Sequence, residues 1–319
     1  MATRLMLRLR LLLSAAVIAS SCVATAQEKP PEKATLAKIL VTVLGTRGEN
    51  PPEVKREDVI VRVGKQRVKV KHWEAARGQY ADLALFIVID DVLDPATSGL
   101  TSDLKQFIQA QPSTTMIGTA YMRSGSVQIA QDLTTDHDKA VQSLRLPVGD
   151  VGTYGSPYLS LVDLLKRWPE HGGRREILMV TDGIDRMHRP TSRTEAMTAS
   201  IYVDSASRAA QRAGIPVYSI YARGVGHASL NMWLANGGQS GISQLAEETG
   251  AETYFLGYTN PVSFMPYLED LQKKLNNQYW LAIDLPAGAK PALKPIKITT
   301  ELRGVEIIAA DNIFVPAAK

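Results

Sequence analysis

Apolar residues along this chain fall into three textures. Between residues 35 and 75 they alternate with polar ones. LAKILVTVLGTR reads as a strand. VIVRV and RVKVKHW, on either side of Gly64, Lys65 and Gln66, read as a half-exposed antiparallel hairpin, with Val59, Val61 and Val63 on one face and Val68 and Val70 on another. From about residue 80 the runs become nearly unbroken. DLALFIVID and REILMVTDG have unbroken apolar centres, which mark strands buried on both sheet faces, and IPVYSIYA and AETYFL continue the type. Between them lie segments of helical spacing: about 98–110, SPYLSLVDLLKRW with Leu159, Val162, Leu165 and Trp168 on one side, about 194–212, GISQLAEET stopped by Gly250, and about 261–277. TTMIGTAYMR and SVQIAQDL flank Ser124 and Gly125 as a second hairpin, and a short helix starts at the capping residues Thr135 and Asp136. After residue 277 alternation returns in QYWLAIDLP, KPIKITTEL and VEIIAADNIFV.

Strands alternating with helices of this length specify an α/β domain with a doubly wound, mostly parallel sheet over 80–277. The β segments at 27–79 and 278–319 should pair with each other, so that the α/β domain is inserted between the two halves of a small β domain. The remaining segment, residues 1–26, reads as an address: Arg4, Arg8 and Arg10, an apolar stretch too short to span a bilayer, then the small-residue ending Ala24-Thr25-Ala26. The expectation is a cleaved export signal, with cleavage after Ala26 and a periplasmic or extracellular destination. Cys22, the one cysteine of the chain, lacks the bulky aliphatic residue expected three places before a lipidated cysteine, so the lipoprotein reading is the weaker one. No other apolar run reaches the length of a transmembrane helix.

Composition changes this picture little. With 45% hydrophobic and 21% charged residues the chain is an ordinary globular one. Three of its four net positive charges are the leader arginines, so the Lys and Arg clustering that phosphate binding needs is missing and nucleic acid is excluded as a partner class. The five histidines are scattered, no G-x-S-x-G elbow falls on a strand-to-helix turn, and no P-loop lysine is present.

In doubly wound folds ligands bind at the carboxyl ends of the strands. Three loops there carry oxygen ligands: Asp90 and Asp94 in IDDVLD, Thr153 in VGTYGSPYLSL, and Asp182 in VTDGID. Together they are a chemically sensible partial cage for Mg²⁺, or for Mn²⁺ or Ca²⁺, with an open position for a partner's carboxylate. An aspartate at such a place can equally cap a helix or close a turn, and for Asp94, followed by Pro95, the turn is the better reading. Asp91 alternates to the other side of its strand and reads as a surface or capping residue. The stretch HASLNMWLANGGQSG (227–241) reads as a long loop whose Leu230, Met232 and Trp233 are either core or a protein-contact surface.

The order of an aspartate-ended strand, a distal Gly-Thr before a helix and a distal Thr-Asp-Gly resembles the von Willebrand factor type A (VWA) domain over about 80–277. With the leader, the VIVRVGKQRVKVKHWE hairpin and QYWLAIDLP, the whole resembles bacterial exported VWFA-related proteins. The resemblance implies a metal-ion-dependent adhesion site used for binding proteins without turnover. The chain departs from the motif where the two metal-binding serines would fall, at Val92 and Asp94: valine cannot ligate, and a carboxylate would leave the metal less electrophilic. The function expected is therefore an exported non-catalytic protein-binding module with a degenerate adhesion site. The alternatives are a metal-dependent hydrolase and a structural envelope component that assembles through its β domain.

Overall fold

The computed structural model describes residues 34–46, 50–78, 81–149, 155–169, 171–188, 190–198, 200–255, 257–286 and 290–317. The leader, Gly152 and Thr153 lie outside the described residues. The described residues form one compact unit.

The continuously apolar strands form the centre of a six-stranded sheet. Its members are β5 (Leu83–Asp90), β6 (Met116–Arg123), β7 (Ser126–Thr134), β8 (Arg174–Thr181), β9 (Val217–Tyr221) and β10 (Thr253–Tyr254), in the order β10-β9-β8-β5-β6-β7. All neighbours are parallel except β7, which folds back antiparallel on β6 through Ser124 and Gly125. Both turn residues have positive φ, 51° and 75°, the backbone a two-residue hairpin of this twist requires.

Strand β5 lies at the centre, every residue buried, and its alternation feeds two cores. Leu85, Ile87 and Ile89 meet α1 (Ser98–Gln109), α2 (His137–Gln142) and α8 (Met265–Asn276). Phe86 and Val88 meet α3 (Pro157–Arg167), α5 (Val203–Ala213) and α7 (Met232–Thr249) on the other face. Two short helices complete the set among the described residues, α4 (Arg193–Met197) and α6 (Gly226–Leu230).

The alternating segments form two antiparallel sheets around a third core. β1 (Ala34–Gly45), β4 (Val70–Ala75), β11 (Gln278–Pro286) and β13 (Val305–Ala309) run in the order β13-β1-β11-β4. β2 (Val59–Val63), β3 (Gln66–Val68), β12 (Ala292–Thr300) and β14 (Asn312–Val315) run in the order β14-β12-β2-β3. The N- and C-terminal segments thus pair as their alternation requires, β1 with β11 over nine residues and β2 with β12 over five. Arg174, nearly buried at the amino end of β8, ties the two parts together by donating to the carbonyls of Ala81 and Leu275 and to Gln278 Oε1, at 2.7 to 2.8 Å.

Three details depart from the sequence reading. RVKVKHW is not one strand: Val68 pairs with Val61 in one sheet, while the chain crosses at Lys69 so that Val70 pairs with Ile283 in the other. The helix expected at 194–212 is two, α4 and α5. The supposed loop 227–241 is helical, α6 followed by the first half of α7. Gly237, Gly238 and Gly241 suggested a loop, yet they are interior helix positions. A Cβ at Gly238 would collide with the Asp182 carbonyl and one at Gly237 with the Ala196 carbonyl, so the glycines let α7 lie directly on backbone.

Candidate functional site

Parallel pairing of β5 with β8 brings the carboxyl ends of two central strands side by side, and Asp90 and Asp182 emerge there. Asp182 is fully buried, and neither of its oxygens is free. Arg186, four residues on, lays its two terminal nitrogens along the carboxylate, Nη1 to Oδ1 at 3.0 Å and Nη2 to Oδ2 at 2.6 Å. The Ile184 amide also donates to Oδ1 (3.0 Å), and the Ser229 hydroxyl of α6 to Oδ2 (2.9 Å). The guanidinium is itself saturated at these nitrogens: Nη1 also reaches the Ile184 carbonyl and Nη2 the Ser229 oxygen, both at 3.0 Å. Burial alone would lower the affinity of Arg186 for its proton, but Asp182, reinforced by Asp90 and Asp185, raises it. A Cβ at Gly224, in the exit loop of β9, would strike Asp182 Oδ2, so glycine there is what lets that loop close over the pair.

Asp90 accepts from the Thr181 hydroxyl (2.7 Å) and the Val92 amide (3.2 Å). Burial, with the Asp182 charge beside it, pushes its carboxyl up to about 6, against the opposing pull of Arg186. The space it faces, between Ser124, Gly125, Gly155 and Arg186, amounts to about 20 Å³. Among the described residues that is room for about one water.

Of the other residues singled out from sequence, Asp94 uses Oδ1 to accept the Ala96 amide at 2.9 Å, closing its own turn. Val92 is buried. Asp91 is not the surface residue its alternation suggested: it is 1% exposed and takes a bidentate ion pair from Arg145 at 2.6 and 2.8 Å. The Arg145 guanidinium lies 3.7 Å from the centre of the Tyr121 ring, a cation–π contact, and Asp91 holds its proton more firmly in place. The Asp91 carbonyl accepts the Gly149 amide, so one buried aspartate anchors the 145–149 loop over the strand ends. Leu230 and Met232 are 67% and 51% exposed, whereas Trp233 is half buried beneath Arg193, whose guanidinium sits 3.3 Å from its ring centre.

A six-stranded sheet, parallel but for an edge hairpin, sandwiched between helices and carrying aspartates where β5 and β8 end, has the VWA arrangement. The fold is VWA-like. No family model matches the sequence, and no curated protein is detectably similar to it. Among solved structures it is similar to the BatB protein of Bacteroides thetaiotaomicron (13% identity, TM-score 0.41), over 60% of this chain and 98% of that one. It is also similar to a von Willebrand factor type A protein of Catenulispora acidiphila (8%, TM-score 0.42; 90% and 74% of the two chains). A third likeness is to the SpRpn10 VWA domain (14%, TM-score 0.36; 59% and 94%). What the individual side chains do has to be read from this chain alone.

Arg186, Ser229 and Arg145 were not singled out from sequence. The signal for the first was available: an arginine four residues after an aspartate that ends a buried strand can return to it across one turn. Ser229 and Arg145 are brought in by tertiary folding, 47 and 54 residues from the carboxylates they meet.

Proposed function

We propose that this protein is an exported, non-catalytic protein-binding module that docks its partner on the strand-end face of the VWA-like part. The observation that carries this reading is the distribution of exposed apolar side chains. Among the described residues eleven large hydrophobic side chains are exposed, and all but Leu36 lie in the connections and short-helix ends at that one end. Leu146 and Val148 follow α2, Met187, Met197 and Ile201 lie between β8 and α5, Leu230 ends α6 and Met232 begins α7, and Phe255, Tyr258 and Val262 precede α8. Scattered single hydrophobics are normal, but concentration on the loops of one face is the mark of an interaction surface. A pocket of about 160 Å³ opens among them, lined by Ile201, Leu234 and Pro190 over Gly183 and Gly238, with Asp185 and Glu195 at its edge. It suits one anchoring side chain of a partner.

The non-catalytic part of the reading has its own support. Among the described residues, Asp90, the one strand-end acid whose proton affinity is brought near neutrality, is buried and faces room for about one water, and Asp182 has no oxygen to spare as a base. Export rests on the leader-like residues 1–26; no helix among the described residues is long and apolar enough to cross a membrane.

The test is affinity capture from the envelope fraction with the wild type and with an Ile201→Asp/Leu230→Asp double variant. Exposed positions of this kind change stability by about 0.5 kcal/mol or less, so the fold should survive. Loss of the captured protein at unchanged Tm is expected, and undiminished capture refutes the strand-end face. The rival, assembly through the β part, has one observation in its favour, a cleft of about 560 Å³ between Trp280, His72 and Lys38 of the β1/β4/β11 face and His171–Gly173. Capture that survives the double variant but is lost on Trp280→Ala would select it.

A further inference from the structure

The strand-end carboxylates are arranged as though around a cation, and the cation present is a side chain. A hard dication in a VWA-like adhesion site needs oxygen ligands from several loops, with water completing the shell. The residues here do not fit one. Both oxygens of Asp182 are engaged by Arg186 in fork-to-fork geometry, Val92 offers a buried isopropyl group where a ligand is needed, and Asp94 turns Oδ1 to its own Ala96 amide. Among the described residues no three His, Cys, Asp or Glu side chains come together as a metal cluster.

We propose that Arg186 is a resident cation: its guanidinium stands where a dication would otherwise neutralise the strand-end carboxylates, and it holds the face assembled without any metal ion. The geometry supports the substitution at each contact. Arg186 reaches the end of β8 through Asp182, and the α6 segment through Ser229. Its charge also acts on Asp90 at the end of β5. The β8 exit loop and the α6 segment are thereby hydrogen-bonded to one positive centre, and the end of β5 lies within reach of its charge. The planar guanidinium matches a carboxylate in two parallel hydrogen bonds, which a spherical ion does not need and a lysine cannot reproduce. Because both terminal nitrogens are fully used within the chain, no position is left at which a partner's carboxylate could complete the site. The assignment concerns the chain's own stability and holds whether or not the face docks a protein.

The experiment is thermal unfolding of the purified protein in EDTA and in millimolar Mg²⁺, Mn²⁺ or Ca²⁺, for the wild type, Arg186→Ala and Arg186→Lys. The wild type should show no ion-dependent shift. Arg186→Ala leaves a buried carboxylate unpaired and should unfold roughly 10 °C lower in EDTA. It should regain part of that loss as an ion is added, with the recovery growing as the logarithm of ion concentration. Arg186→Lys keeps a charge in place and should be less destabilised and insensitive to ions. Should Arg186→Ala fail to fold in EDTA, its refolding yield with and without Mn²⁺ reports the same latent site, and recovery only with the ion is expected. An ion-dependent shift in the wild type that Asp182→Asn abolishes would overturn the proposal, since a dication would then displace the arginine. So would an Arg186→Ala protein that is destabilised but indifferent to every ion, or one as stable as the wild type, and so would an Arg186→Lys protein that responds to ions as the alanine variant does.

Discussion

Replacing Asp90 by asparagine tests the electrostatics of the strand-end face most directly. Asp90 is 7% exposed, and burial together with Asp182 holds its carboxyl at about 6, against 3.8 for an unperturbed aspartate. The fold therefore binds the Asp90 proton more tightly than the unfolded chain does. Each tenfold difference in proton affinity is about 1.4 kcal/mol, so the full effect is about 3 kcal/mol. Its sign follows from the direction of the shift. The contribution is complete below the unfolded value of 3.8 and is lost as pH rises through 6, when the fold must hold an ionised group in a dry place beside a second carboxylate. Asparagine has the same shape, can still accept the Val92 amide and carries no charge at any pH. In urea unfolding from about pH 4 to about pH 8, the stability of Asp90→Asn relative to wild type should rise by up to about 3 kcal/mol, most of it between pH 4 and 6.5. Taking the difference between the two proteins cancels groups such as Glu176 and Asp311, whose carboxyls burial also raises. A difference that is flat with pH would refute the reasoning, because it would mean that Arg186 neutralises Asp90 as fully as water does.

Two further perturbations separate the parts of the site. Arg145→Ala removes the guanidinium that pairs with the buried Asp91; since Arg145 is itself 41% exposed at the side chain and water can enter, the cost should be about 2–3 kcal/mol, below the range for a fully buried pair. Hydrogen exchange should show faster opening of the 145–149 amides in that variant, and unchanged protection of the Gly149 amide would refute the anchoring role of Asp91. Gly224→Ala drives a methyl group against Asp182 Oδ2 and Ser229 Oγ and should cost about 1–3 kcal/mol of strain, read as a lower urea midpoint with an unchanged slope. If Gly224→Ala is neutral, the exit loop of β9 is free to move away and the closure over Asp182 and Arg186 is loose.

The architecture was legible because burial writes itself into periodicity. A strand covered on both faces has no polar partner positions to alternate with, so DLALFIVID and REILMVTDG specified central parallel strands, and β5 and β8 are neighbours at the centre of the sheet. The strands of the β part have one wet face, and their alternation was enough to mark β1, β2, β11 and β12 for antiparallel pairing. Periodicity failed where backbone, not side chains, makes the contact. Gly237, Gly238 and Gly241 contribute nothing to an apolar count, so the first half of α7 read as loop, although Gly237 and Gly238 let the helix rest on the Ala196 and Asp182 carbonyls and Gly241 leaves room for the Tyr158 ring. It failed again at Lys69, because a strand that leaves one sheet for another keeps its alternation through the crossing.

The site was legible only in part, for a different reason. A motif reports which residue types stand at which spacing, and an aspartate that ends a buried strand looks the same whether it awaits an ion or already holds a guanidinium. What separates the two cases is the direction in which Arg186 turns back, and that is set by Gly183 at φ +67°, which reverses the chain after β8, and by Gly224, which leaves room for the carboxylate beneath the neighbouring loop. Neither glycine carries chemistry of its own. Besides the i+4 spacing of Arg186, the valine at 92 is a local hint that points the same way, since an apolar side chain cannot serve a metal. Loss of ligands and gain of an internal cation are then two sides of one substitution. A buried carboxylate must be neutralised by something, and once Arg186 does so from within the chain, a hydroxyl at position 92 has no remaining charge to serve.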